Sequence, residues 1–461
     1  MSAINIRIEW MTRQRSLSVV VAAYVYAALI VAGPWIFTML GIVGLSVSPC
    51  FECRDQLPLF RSVIIYNSLF SLIVTSPLAF FAGRYVSDQL YVGQQSGIFS
   101  LFLAVLAIFV SVSIVTVVPF YLVMADLDGP TRFAAVQNVF LIAISWLLIP
   151  FMSAMRAAIP TLMAFASNAL MLIVVGSFLK EPSAVTLLTA FNGGFAMTDM
   201  ILLGTLVRRF GCHVEPHLKR SAFRWSQWEL PAAGLAYAVG IWSDKLVMWY
   251  GASSDGLVVA NVLHTMPSYD TAMFWAQMAS IPVTAIAFVH VDTGINNLFR
   301  RFYGRLGQHT SFREISTAIQ VLQKCVISSV ATLFVALAVV ATLTILLSFV
   351  FMNELGLRPS YLRILRIALW AMAFHSSAMF CFVYLLYFDL RRQALLVVAI
   401  YGIANTALTW LLLPLGQVYY GYGSMIAAAF TFILAFAIIL HELPWLHYHA
   451  FITNNVSVNK T

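Results

Sequence analysis

Charged residues are scarce in this sequence. Asp, Glu, Lys and Arg make up only 10% of the 461 residues, whereas a soluble protein carries about 25%. Hydrophobic residues account for 61%, and the mean hydropathy is +0.89. This deficit excludes an ordinary soluble domain and indicates a chain surrounded mainly by lipid. The formal net charge of +8 does not indicate nucleic acid, because the basic residues lie in short gaps between apolar runs.

Long polar domains and nucleotide-binding motifs are also missing. The longest polar segments are only about 20 to 35 residues, too short for a nucleotide-sugar domain. No Gly-Lys-Ser/Thr occurs, which excludes ATP hydrolysis through a Walker loop. His375, followed by two serines, is compatible with a membrane acyltransferase, but no partner at a suitable spacing accompanies it. We therefore predict a transporter without catalytic residues or a cofactor.

Cysteine is rare as well, with five in the chain. Only Cys50 and Cys53 have a suggestive spacing, and one Cys-x-x-Cys without a second pair or a histidine cluster is weak evidence for a metal. A local disulfide, a metal site and free thiols all stay open for this loop, and the prediction contains no metal site.

Twelve apolar runs are long enough to cross a bilayer, which takes about 20 residues. Their approximate limits are 17–40, 62–83, 98–122, 134–155, 161–179, 186–207, 231–250, 270–291, 326–350, 366–388, 394–415 and 424–441. The largest internal polar segment separates six runs from six. We therefore predict an all-α polytopic membrane protein with two six-helix bundles around a central cavity. The predicted domains are an N-terminal bundle, a basic cytoplasmic connector, a C-terminal bundle and a cytoplasmic tail, at 1–207, 208–230, 231–441 and 442–461.

Basic residues predict the orientation. With the amino terminus inside, the inner segments hold 18 of the Lys and Arg residues and the outer loops hold 6. Two more, Lys245 and Arg366, lie within spans. Cytoplasmic loops carry an excess of Lys and Arg, so both termini are predicted to be cytoplasmic.

The seventh run contains two adjacent charges, Asp244 and Lys245, with Tyr237 on the same helix face as the aspartate. A charge at the centre of a span costs about 2.5–3.5 kcal/mol, so each needs compensation. Neighbouring positions on a helix lie about 100° apart, so we do not expect a simple face-to-face ion pair. Two interpretations remain. Either the lysine reaches the interface while the aspartate bonds to a neighbouring helix, or Asp244 lines a water-filled path.

Other acidic residues lie in or near the spans. Asp199 follows Asn192-Gly193-Gly194 in the sixth run, and Asp270 begins the eighth. Together with Asp244 they would give the cavity an acidic wall, suited to a cationic or hydroxyl-rich cargo or to a coupling proton or sodium ion. Each of them also has a plain interpretation as a hydrogen bonder between packed helices.

Six stretches in order resemble the PelG family, the inner-membrane exporters of Pel exopolysaccharide systems. They are AYVYAALIVAGPW (23–35), GRYVSDQLYVG (83–93), WSDKLVMWYG (242–251), PSYDTAMFWAQMASIP (267–282), YFDLRRQAL (387–395) and GYGSMIAAAF (421–430). The resemblance implies a flippase or MATE-like fold in the bacterial inner membrane, and export of a galactosamine-rich polysaccharide. It also implies as partners a cytoplasmic glycosyltransferase and membrane subunits, one of which binds cyclic di-GMP.

The second of these stretches contains a candidate cytoplasmic gate. Arg84 and Asp88 are spaced for an i, i+4 pair at a helix end, with Tyr91 one turn further on. The alternative is simple anchoring of that helix end. For the whole chain, the alternatives are an ion-coupled exporter of small cationic compounds, a lipid-linked oligosaccharide flippase, and a membrane transferase.

Overall fold

The computed structural model describes residues 33, 36–42, 57–178, 183–214, 227–252, 256–290, 298, 311–354 and 359–448. Most of the first predicted span, the loop with Cys50 and Cys53, much of the connector and most of the tail lie outside these residues. The chain divides into two compact units. As far as they are described, the N-terminal unit is Ala32–Trp242 with Ala252–Pro267, and the C-terminal unit is Ser243–Gly251 with Ser268–Thr461. The predicted domain limits stay a prediction.

Long helices form the N-terminal unit. They are α1 (Leu57–Val92), α2 (Ile98–Pro119), α3 (Gly129–Ala154), α4 (Ala158–Phe178) and α5 (Ala184–Phe210). A π-helical turn continues α2 to Met124. Polar caps start two of the helices: the Asp128 carboxylate accepts from the N–H of Thr131, and the Ser183 hydroxyl accepts from the N–H of Thr186. Such caps satisfy backbone donors that a helix start leaves open.

The next helix and a hairpin follow the connector. In helix α6 (Glu229–Gly251), the residues up to Trp242 belong to the N-terminal unit and the rest belong to the C-terminal unit. The strands β1 (Leu257–Val259) and β2 (Leu263–Thr265) then pair antiparallel, with Val258 opposite His264.

Local chemistry explains the hairpin and its position. Ala260 and Asn261 turn the chain in the loop 260–262 with φ of 49° and 62°, left-handed values that are common in hairpin loops. The Tyr66 hydroxyl of α1 then donates to the His264 carbonyl at 3.0 Å and accepts from the His264 N–H at 2.9 Å. One phenol therefore fixes the second strand to α1 within the N-terminal unit.

The helices of the C-terminal unit follow the same pattern. They are α7 (Pro267–His290), α8 (Phe312–Glu354), α9 (Pro359–Tyr387), α10 (Arg391–Leu412) and α11 (Tyr422–Glu442). Short 3₁₀ turns at Leu413–Leu415 and Gln417–Tyr419 join the last two of them.

The predicted fold class is confirmed. Each predicted run from the second to the twelfth coincides with a helix, and nine helices of the described chain are long and apolar enough to cross a membrane. Helices α6 and α7 are 23 and 24 residues long but are not among those nine. They contain the acidic and basic residues of the seventh and eighth runs, which lower their hydropathy.

Both units use the same packing plan. Helix α5 packs on α3 and α4, and α11 packs on α9 and α10. The turn between α3 and α4 also recurs between α9 and α10. In the first, the N–H of Arg156 donates to Ser153 and that of Ala157 to Met152. In the second, 233 residues later, the N–H of Asp389 donates to Leu386 and that of Leu390 to Leu385.

These two turns are helix ends of the Schellman type, in which the residue after the helix takes left-handed values. Arg156 has φ 57° and Asp389 has φ 60°, where glycine is the usual occupant. The described helices therefore contain an internal repeat with a spacing of 233 residues from α3 onwards.

Candidate functional site

A charged cluster is buried in the C-terminal unit, where the end of α6 meets α7. Asp244 is 2% exposed and Tyr269 is 0% exposed. The Tyr269 hydroxyl donates to Asp244 Oδ2 at 2.7 Å, and Lys245 Nζ lies 3.5 Å from Asp244 Oδ1. Each carboxylate oxygen therefore has a donor on its own side.

The sequence predicts no simple face-to-face ion pair between Asp244 and Lys245, and the structure places Lys245 Nζ 3.5 Å from Asp244 Oδ1. Neighbouring helix positions lie about 100° apart, yet the long lysine side chain brings its ammonium near the carboxylate of the preceding residue. The distance of 3.5 Å is long for a charged hydrogen bond, which is usually about 2.7–2.9 Å. The pair is therefore loose, and the short bond to the carboxylate comes from Tyr269.

Two further residues belong to this cluster. His375 of α9 lies within electrostatic range of both Lys245 and Asp244. Its ring contacts that of Tyr401 on α10, with centroids 4.9 Å apart. Its buried Nδ1 has no hydrogen-bond partner among the described residues. The Asp244 cluster, as we call Asp244, Lys245, Tyr269, His375 and Tyr401, thus joins side chains from four helices. Sequence reasoning missed Tyr269 and Tyr401, and considered His375 only as a catalytic base.

Asp270 has a different environment. It lies in the first turn of α7, where an acidic side chain interacts favourably with the helix dipole. Both its carboxylate oxygens accept from Nε1 of Trp249, each at 2.9 Å. This contact joins the end of α6 to the start of α7, an arrangement that holds the two helices together.

Asp199 lies in the N-terminal unit, on a ladder of polar side chains between α3 and α5. Asn138 Nδ2 donates to Asn192 Oδ1 at 2.7 Å, and Ser145 Oγ donates to Asp199 Oδ1 at 2.6 Å. The partners in each rung are 54 residues apart, and the rungs are separated by two helical turns. Parallel helices that keep a constant register produce this arrangement.

The first rung continues sideways onto α1. Asn67 Nδ2 donates to Asn138 Oδ1 at 2.9 Å, and the Tyr121 hydroxyl donates to Asn67 Oδ1. At the other end of the rung, Asn192 Nδ2 donates to the Ala134 carbonyl at 2.9 Å. Sequence reasoning missed this network. The available signal was the matched seven-residue spacing of polar residues in two otherwise apolar runs.

Some polar atoms in and beside the ladder have no hydrogen-bond partner among the described residues. Asp199 Oδ2 has no hydrogen-bond partner in the described part of the chain, nor does either amide atom of Asn168 on α4. Asn168 faces Gly194 of α5, where a Cβ would lie 2.1 Å from its Oδ1. Only a glycine leaves room for that amide.

The remaining predicted residues have local contacts. Tyr237 packs its ring on Phe80 of α1, with centroids 6.3 Å apart. Arg84 Nε and Asp88 Oδ2 form the expected pair at 3.1 Å. Tyr91 is 93% exposed and does not cover that pair, so its role as a gate stays a prediction.

Metal binding finds no support in the described ranges. They contain no group of three or more His, Cys, Asp or Glu side chains that could hold a metal ion.

Comparison with known proteins decides the family. The sequence model "PelG: Putative exopolysaccharide Exporter (EPS-E)" matches residues 1–451. The chain belongs to the PelG family. Among curated proteins, no sequence matches this PelG-family chain.

Solved structures show the fold that this PelG-family member adopts. A mutant MATE protein superimposes with a TM-score of 0.61 at 10% identity, over 95% of this chain and 97% of the other. An outward-facing multidrug resistance MATE transporter of the MOP superfamily gives 0.61 at 10%, over 92% and 96%. A MOP superfamily transporter from Pyrococcus furiosus gives 0.60 at 11%, over 97% of both chains. The chain is therefore a multi-pass membrane protein with the fold of MATE transporters.

Proposed function

We propose that this protein exports an exopolysaccharide across the bacterial inner membrane, and that the Asp244 cluster acts on the passing sugars. The supporting observation is the cluster itself: a charge pair, two phenols and a histidine buried in an apolar protein. Charged groups inside a membrane are expensive and usually mark a transport path. A purely structural bundle would gain more from hydrophobic residues of similar volume.

The chemistry of the cluster agrees with sugar as cargo. Tyr269, Lys245 and His375 offer hydroxyl, ammonium and imidazole groups, and Asp244 offers a carboxylate, so donors and acceptors occur together. Sugar hydroxyls both donate and accept hydrogen bonds and need such a mixture. The polymer we propose is of the Pel type, rich in galactosamine, and its path is the polar cavity predicted between the two bundles.

The proposed partners follow from the family. They are a cytoplasmic glycosyltransferase that supplies polymer and membrane subunits that include a cyclic di-GMP receptor. Cytoplasmic termini and the basic connector 208–230 would face them.

The test replaces one carboxylate at a time. Asp244→Asn removes the charge that balances Lys245, while it keeps the shape and an acceptor for Tyr269. We expect extracellular polymer to fall at least about tenfold, the loss that roughly 1.4 kcal/mol produces, with normal membrane insertion. The matched control is Asp126→Asn, which changes an exposed carboxylate. Unchanged export by Asp244→Asn at equal protein level would exclude a transport role for this carboxylate.

A second candidate function is ion-coupled export of small cationic compounds. The observation that favours it is Asp199 Oδ2, a buried carboxylate oxygen without a hydrogen-bond partner among the described residues, in a fold shared with multidrug transporters. Deletion of the gene separates the two functions. Lost extracellular polymer with unchanged drug sensitivity supports polysaccharide export, and the reverse pattern supports the second function.

A further inference from the structure

Both carboxylate oxygens of Asp244 have a partner within its own unit. Tyr269 donates to Oδ2 at 2.7 Å, and the Lys245 ammonium lies 3.5 Å from Oδ1. The aspartate side chain is 3% exposed and the lysine side chain 18% exposed. An isolated carboxylate at such depth is very unfavourable, so it must hold a proton, bind a cation or pair with a fixed positive group.

The chain itself supplies the positive group from the very next residue. A pair of adjacent residues cannot separate far when helices move, because one turn of the same helix carries both. Lysine also has enough rotatable bonds to follow small changes at the carboxylate. This covalent proximity makes Lys245 a tethered counter-ion, always available at the same carboxylate.

We propose that Lys245 is a built-in cation for Asp244, and that it keeps this site from taking up sodium, potassium or protons during transport. The inference concerns the cluster named under the proposed function, but it does not depend on which polymer is exported. Coupling to an ion, if the transporter uses one, then has to occur elsewhere in the chain.

The surroundings of Asp244 are consistent with this role. Among the described residues, Tyr269 on α7 and His375 on α9 interact electrostatically with Asp244, and Asp270 and Tyr401 lie within electrostatic range of Tyr269. Of these, only His375 is able to carry a positive charge. Lys245 is the basic side chain attached next to the carboxylate on the same helix.

The experiment measures the apparent melting temperature of purified protein in detergent. Each sample is measured in sodium, potassium or choline chloride at equal ionic strength, and at pH 5 and pH 8. The wild type and Lys245→Arg should show the same melting temperature in all three salts. Lys245→Met leaves Asp244 buried without its counter-ion. The melting temperature of this variant should therefore be higher by about 5 °C in sodium or potassium chloride, or at pH 5, than in choline chloride at pH 8.

Two controls isolate the carboxylate. The double variant Asp244→Asn with Lys245→Met buries no charge at either position, so it should lose the response to salt and pH that the single variant shows. It still contains His375, so any remaining response to pH belongs to that histidine. Lys324→Met removes an equal charge from an exposed site on α8 and should behave as the wild type.

Two results would overturn the inference. One is a wild type that already depends on sodium or potassium, with the dependence lost in Asp244→Asn. The other is a Lys245→Met variant as indifferent to cation and pH as the double variant. Should Lys245→Met fail to fold, recovery of folded protein in the double variant supports the inference, and failure of both variants contradicts it. Neither result bears on export, which is measured separately in cells.

Discussion

The N-terminal and C-terminal units repeat one backbone plan but differ in what they bury. In the N-terminal unit, Asn138 with Asn192 and Ser145 with Asp199 bridge α3 and α5. At the positions 233 residues later, the C-terminal unit has Ala371, Met425, Ala378 and Phe432. A buried carboxylate of that unit lies instead on α6, at Asp244. The helix frame therefore does not require polar bridges, and each unit has its own interior chemistry.

This difference separates two ways to bury polar groups in lipid. The first rung of the ladder is a chain of amides in which each donor finds an acceptor, so it needs no charge and no exchange with solvent. The Asp244 cluster holds charges that are stabilised by one loose contact and one short bond. A closed network of the first kind favours rigidity, whereas the charged cluster keeps donors and acceptors of the kind that the proposed sugar cargo needs.

The largest expected effect concerns packing of the C-terminal unit. A Cβ at Gly423 of α11 would lie 2.6 Å from both the Cα and the backbone nitrogen of Thr409 on α10. Backbone atoms cannot move aside as side chains do, so Gly423→Ala should destabilise the protein by about 1–3 kcal/mol or more. Thermal unfolding of purified protein measures the change.

Gly204 is the matched control for that substitution. It lies in helix α5 of the other unit, and beyond its own stretch of helix no atom of the described residues lies within 4 Å of a Cβ built there. Gly204→Ala should be neutral, or stabilise the helix by up to about 1 kcal/mol. Equal losses at Gly423 and Gly204 would mean that the close helix crossing is not what stabilises the C-terminal unit.

The next largest effect is expected when Asn138 and Asn192 are replaced by Ala and Met, the residues at the equivalent positions of the C-terminal unit. Asn192→Met leaves Asn138 Nδ2 without an acceptor and should cost about 1–3 kcal/mol. Asn138→Ala should cost a similar amount, because it leaves Asn192 Oδ1 unpaired. The double variant removes both orphaned groups, so its cost should fall short of the sum by about 0.5–3 kcal/mol. Strictly additive losses in unfolding experiments would show that the two amides do not act as a unit.

The smallest effect compares the two equivalent turns. Arg156 and Asp389 both adopt left-handed backbone values, which costs a residue other than glycine about 1 kcal/mol. Arg156→Gly should therefore stabilise the protein slightly. Asp389→Gly should gain less, because Asp389 accepts from Nε and from a terminal guanidinium nitrogen of Arg391, at 2.7 and 3.0 Å. Equal gains in melting temperature would mean that this ion pair contributes nothing.

The existence and approximate positions of the long helices were predictable from the sequence, while the full lengths of α1 and α8 and the contacts between helices were not. Hydrophobic length determines which segments cross a bilayer, so the predicted runs 161–179 and 394–415 fall on α4 and α10. The distance between Asp244 and Lys245 was not predictable, because helix geometry gives Cβ directions and not the path of a long flexible side chain.

Partners far apart in the chain explain the other omissions. Asn138 and Asn192 appear isolated in two apolar runs, and only tertiary packing brings them to 2.7 Å. Tyr269 is an ordinary aromatic residue near the start of α7 until the fold places its hydroxyl on Asp244. A single sequence contains no record of such pairs.

One measurement tests the contrast between the two units directly: extracellular polymer in cells that carry Asp244→Asn or the double variant Asn138→Ala with Asn192→Met, at matched levels of membrane-inserted protein. We expect the first to export at least about tenfold less than the wild type and the second to export normally per folded molecule. Normal export by Asp244→Asn, together with lost export by the ladder variant, would contradict the account.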